Sequence, residues 1–141
     1  MKHITRFPSL VAFLIASLLV SCNPIKSSHL AEAGVVQFHT QLDKGEFTNI
    51  YKATHPDFKK VSDEKSFTEL LSAIHRKLGP VRTTEKASWN VNSHNLKTNV
   101  VLTYSTKFAE GTGTETFTYR IDGAKAVLLG YHINSQELIT K

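Results

Sequence analysis

Val100-Val101-Leu102-Thr103-Tyr104-Ser105-Thr106-Lys107-Phe108 is the stretch whose reading decides the fold. Val100, Leu102, Tyr104, Thr106 and Phe108 recur at every second position, the period of a half-buried β-strand. The same period holds on either side of it. Ala87, Trp89 and Val91 alternate before it, with Trp89 assigned to the covered face, and Glu110-Gly111-Thr112-Gly113 supplies the turn that follows. A third strand then sets Phe117, Tyr119 and Ile121 against Thr116, Thr118 and Arg120. Asp122-Gly123 is a hairpin signal leading into Val127, Leu129, Tyr131 and Ile133. The last strand also carries Ala126, Leu128 and Gly130 on its second face, so it reads as apolar on both sides. Four strands joined by short turns make an antiparallel meander.

Upstream of Pro80 the period is 3.6. Ala31, Val35, Phe38 and Leu42 form one helical stripe ended by Gly45, and Phe47, Ile50, Tyr51 and Thr54 form a shorter one stopped at His55-Pro56. Phe67, Leu70, Leu71, Ile74 and Leu78 form a third. Ser62 is its expected N-cap, Asp63 and Glu64 suit the positive end of its dipole, and Arg76 and Lys77 suit the negative end before Gly79-Pro80. The expected fold class is therefore α+β, with N-terminal helices packed on a four-stranded antiparallel meander.

The N-terminus reads differently. Lys2 and Arg6 flank a short basic start, and from Leu10 to Val20 only Ser17 is polar, which is the pattern of a signal-peptide hydrophobic region. Eleven helical residues span about 16 Å, half of a bilayer's hydrocarbon core of about 30 Å, so a membrane-spanning helix is the weaker reading. The following Leu19-Val20-Ser21-Cys22 resembles the lipobox of bacterial lipoproteins. That resemblance implies cleavage after Ser21, a diacylglycerol on the Cys22 sulfur and an acylated (palmitate-type) new terminus. Asn23 rather than Asp after the cysteine favours the outer membrane, facing the periplasm. The expected organisation is a signal peptide over 1–21, the lipidated Cys22 with a polar tether over 22–28, and a single α+β domain over 29–141.

Composition narrows the partners. Cys22 is the sole cysteine, so the domain is expected to hold itself together without disulfides. The net charge of +5 includes Lys2 and Arg6, and the remaining basic residues are interspersed with acids, which gives no footprint for nucleic acid. His29, His39, His55, His75, His94 and His132 show no ligand spacing. His29 and His39 would stand about 15 Å apart along a helix, too far to share zinc. No metal and no cofactor is expected.

Helices followed by such a meander resemble the cystatin-like and nuclear transport factor 2-like superfold. The chain is similar to a family of small, uncharacterised bacterial lipoproteins with that architecture. The residues that carry the likeness are Gln41-Leu42-Asp43-Lys44-Gly45-Glu46-Phe47, Tyr51, Leu78-Gly79-Pro80, Val101-Leu102-Thr103-Tyr104 and Leu129-Gly130-Tyr131-His132-Ile133-Asn134-Ser135. Enzymes of the superfold keep an acid/base pair in a cone-shaped pocket. The candidate pocket residues here are Tyr51, Tyr104, Tyr119 and Tyr131, with Thr106 beside them, and no inward carboxylate is evident. A tyrosine with pKa near 10 is a poor base by itself, and tyrosines on half-buried strands more often belong to the core. No catalytic residue is assigned.

Three functions follow as alternatives. The favoured one is a noncatalytic, lipid-anchored binding or accessory module of the bacterial envelope, taking a small ligand or an envelope protein. The second is an isomerase- or dehydratase-like enzyme, which needs an ionisable group deep in the cavity. The third is a structural partner or inhibitor of another envelope protein. A homodimer through the outer sheet face, with Thr103, Ser105, Thr116, Thr118 and Arg120 around Ala126 and Leu128, is left open.

Overall fold

A computed structural model describes residues 23–140. The signal segment and Cys22 lie outside the described residues. Five helices and four strands follow in the order α1 (Pro24–Asp43), α2 (Phe47–Lys52), α3 (Pro56–Val61), α4 (Glu64–Leu78), β1 (Val81–His94), β2 (Lys97–Phe108), β3 (Thr112–Asp122), β4 (Lys125–Asn134) and α5 (Gln136–Thr140). The strands form one antiparallel sheet in the order β1-β2-β3-β4. The chain is α+β, with the helix-on-meander arrangement expected of it.

Helix α1 starts earlier than its apolar stripe. Asn23 caps it, its side-chain oxygen accepting from the Ile25 and Lys26 amides at 3.0 and 3.3 Å, and Pro24 occupies the first turn, where a missing N–H costs nothing. Ser27 and Ser28 are buried in the packed helix, so the segment expected to be a tether is helical from Pro24 onward. At the other end the Glu46 amide donates to the Gln41 carbonyl and the Gly45 amide to that of Leu42. Gly45 adopts a φ of 72°, and together these close a Schellman motif.

Two boundaries shift in the middle of the chain. A short helix, α3, follows Pro56 and buries Phe58 edge-on against Phe67 at 4.8 Å. Helix α4 is capped by Asp63 rather than Ser62, because the Asp63 carboxylate receives the Ser66 amide at 2.9 Å. That bond, with the Ser66 hydroxyl, holds the Asp63 carboxyl below its usual pKa. Phe67, Leu71, Ile74 and Leu78 are buried as expected, whereas Leu70 lies at the edge of the stripe, exposed.

The helices cover one face of the sheet. Ala31, Val35, Phe38 and Leu42 of α1 meet Val100, Leu102 and Tyr104 of β2, Phe117 and Tyr119 of β3, and Leu128 of β4 in one core. Gly34 lets α1 come close, since a Cβ there would stand 2.7 Å from the Tyr119 ring.

Strand β4 is irregular. Thr118 pairs with Gly130 and Tyr119 with Leu128, so Leu129 is an extra residue in a β-bulge. The bulge resets the alternation, so Leu128 before it and Tyr131 and Ile133 after it all pack against the core. This explains the two apolar faces in the sequence and corrects the placement of Ala126 and Leu128 on the outer face. Leu128 is a core residue, 6% exposed.

Trp89 also departs from expectation. It pairs with the core residue Leu102 and so has the expected face, but it is 48% exposed. Strand β1 is an edge strand, with register breaks at Arg82 and Ala87, and most of its residues are open to solvent.

Candidate functional site

Strand β3 places Glu115 two residues before Phe117, on the covered face, with no exposure to solvent. This inward carboxyl group was absent from the sequence reading and corrects it. All its neighbours are donors. Tyr131 Oη donates to Oε1 at 2.7 Å, Thr106 Oγ1 donates to Oε2, and His39 Nε2 of α1 stands 2.8 Å from Oε2. A buried carboxyl group is tolerated only when its lone pairs are engaged, and three donors from three elements achieve that here. Among the described residues no buried side-chain nitrogen or oxygen is left without a partner.

The four candidate tyrosines do not line one pocket. Tyr104, Tyr119 and Tyr131 surround Phe117, at ring distances of 6.2, 6.3 and 5.1 Å. Tyr51 sits apart between Phe58 and Phe67, its hydroxyl donating to the Ser62 carbonyl at 3.1 Å. Burial drives the Tyr119 and Tyr131 hydroxyls far above their ordinary pKa of 10.0, and Glu115 pushes in the same direction. Tyr104 is raised by the same desolvation. Raised phenols donate hydrogen bonds and resist becoming bases.

Two cavities border this core. The first, about 60 Å³ beside Tyr119, Phe38 and Leu128, is far below the ~300 Å³ at which ligand pockets begin. The second holds about 460 Å³ at one end of the domain, between the start of α1 and the β1–β2 and β3–β4 turns. Lys26, Leu30, His94, Leu96 and Ile121 line it, together with Asn23, the residue that follows Cys22 in the chain. None of the candidate tyrosines reaches it.

Glu32 and Lys86 join α1 to the edge strand at 2.6 Å, and that hydrogen bond keeps the Glu32 carboxyl below its usual pKa. No group of three His, Cys, Asp or Glu side chains comes together among the described residues to hold a metal.

Glu115 and His39 had readable signals. Glu115 shares the parity of Phe117, Tyr119 and Ile121, and His39 lies four residues after Val35, beside the apolar stripe. The turn signal at Glu110-Gly111-Thr112-Gly113 masks the first, since β3 already begins at Thr112. The second has its partner 76 positions away, outside any local spacing. No protein-family model matches this chain, and no curated protein matches it.

Proposed function

We propose that the chain is a noncatalytic, lipid-anchored binding or accessory module of the bacterial envelope, attached through the Cys22 thiol and facing the periplasm from the outer membrane. One observation supports this reading above others. A cleft of about 460 Å³ opens at the end of the domain where Asn23 follows Cys22. A ligand or partner taken up there is taken up beside the anchor. The polar groups of the core are engaged with one another instead, Glu115 with His39, Thr106 and Tyr131.

Metabolic labelling with a fatty acid tests the anchor. The wild-type chain should incorporate the label, with a mature terminus at Cys22 by mass spectrometry, and Cys22→Ser should do neither. Undiminished labelling of Cys22→Ser defeats the proposal.

The isomerase- or dehydratase-like reading gains one point from the structure. Glu115 and His39 are a carboxyl–imidazole pair of the kind acid/base chemistry uses. Against it, Glu115 is sealed from solvent and both its oxygens are occupied. Dimerisation through the outer sheet face rests on Thr103, Ser105, Thr116, Thr118 and Arg120, without Ala126 and Leu128. Sedimentation across a wide concentration range checks it.

A further inference from the structure

Three features meet at the end of the domain where α1 begins. The first is an apolar tip. Leu96 is fully exposed, and Ile25 on the first turn of α1 is 60% exposed. The second is the backbone that holds this tip out. Asn95 and Leu96 form the two-residue β1–β2 turn with φ of 48° and 61°. Such turns favour Asn-Gly, and here a bulky leucine occupies the glycine position, held in the left-handed region while its side chain points into water. Neither local conformation nor solvation accounts for that choice.

The third feature is charge. Lys26, Lys97 and Lys125 are exposed around the tip, with Asp122 as the acid among them. The far end of the sheet, by contrast, mixes acids such as Asp43 and Glu110 with bases such as Arg82 and Lys107. Strand β2, of 12 residues, separates the two ends by about 36 Å, so one flat surface cannot touch both.

Resting on the reading of Cys22 as the lipid anchor, we infer that this end of the domain docks on the bilayer that holds the acyl chains. Leu96 and Ile25 enter the interfacial layer, while Lys26, Lys97 and Lys125 meet the phosphates of anionic phospholipids. The argument for a lipid surface over a protein partner is one of position. Asn23 lines the cleft together with Lys26 and Leu96 and is covalently next to Cys22, one Cα–Cα step of about 3.8 Å away, so this is the end of the domain held nearest the acyl chains. An exposed apolar tip ringed by lysines is the composition that interfacial binding requires.

The test uses the full lipidated protein in vesicles of phosphatidylethanolamine and phosphatidylglycerol, with Trp89→Phe removing the native indole. Leu96→Trp and, separately, Ile139→Trp on α5 at the far end introduce reporters at sites that are exposed already. Lipids brominated along the acyl chain then quench whichever indole enters the acyl layer. Quenching at least about threefold stronger for Leu96→Trp than for Ile139→Trp is the expected result, because interfacial insertion reaches only about 5–10 Å. Equal or reversed quenching in protein that floats with the vesicles overturns the docking while leaving the anchor intact. Protein that does not float overturns both.

Discussion

Glu115 and Leu96 break the same rule in opposite directions. One is an ionisable side chain with no exposure, and the other is an aliphatic side chain with no cover. Their surroundings differ in a way that separates architecture from function. Around Glu115 every donor is matched, from His39, Thr106 and Tyr131, so its burial is compensated within the fold. Around Leu96 nothing compensates. The backbone is held at positive φ and the side chain is left in water. A departure that the fold compensates is part of the core, and a departure left uncompensated points to something outside the chain.

The strongest way to break this comparison is to remove the carboxyl group. Glu115→Ala strands the buried His39 and Thr106 and the partly buried Tyr131 and opens a cavity, and it should destabilise the domain by about 3–5 kcal/mol in urea unfolding. A loss below about 1 kcal/mol would mean that the cluster is not structural. Replacing all four members together, with Glu115→Leu, His39→Leu, Thr106→Val and Tyr131→Phe, should recover much of that loss, since matched apolar groups leave no donor unpaired.

Trp89 sharpens the comparison from the edge of the same face. Half exposed on β1, it should contribute about 1–2 kcal/mol when replaced by alanine, against the ~3–5 kcal/mol of a buried tryptophan. A thermal or chemical melt of Trp89→Ala distinguishes the two ranges.

Alkaline titration probes the sealed side in another way. The hydroxyls of Tyr119 and Tyr131 have folded-state pKa values raised above the ordinary 10.0. Stability associated with them is therefore complete below about pH 10 and declines as pH rises beyond it, because the unfolded chain releases these protons first. Phenolate absorbance from these two residues should appear together with loss of far-ultraviolet circular dichroism. Their ionisation in a fully folded domain would contradict the burial.

The smallest effect belongs to the turn. Leu96→Gly relieves the left-handed conformation and should raise stability by up to about 1 kcal/mol, with no change in the cooperativity of unfolding.

The fold was legible where one periodicity ran without interruption. The stripe of α1, the stripe of α4 except at Leu70, and the alternation through β2 place their apolar residues in the core. Reading failed where one residue has two legitimate roles. Asn23-Pro24 followed by serines suits a tether as well as a capped helix start, and only packing against the sheet decides. At Trp89 the face was readable and the cover was not, because alternation does not reveal which strand lies at an edge. The site was less legible than the fold. A strand begun at Thr116 excluded Glu115, and its partners come from α1, β2 and β4, separated by 76, 9 and 16 positions.

The extra residue at Leu129 acts on β4 as a frameshift acts on a coding strand. Up to Leu128 the helix-facing positions are even-numbered, and from Tyr131 onward they are odd-numbered. Deleting Leu129 would close the bulge and join the two phases into one regular alternation, with Leu128, Tyr131 and Ile133 still facing the helices and Tyr131 still opposite Phe117. The same residues belong to the inside with or without it, so the bulge is one residue of spare length that the strand accommodates without changing its core.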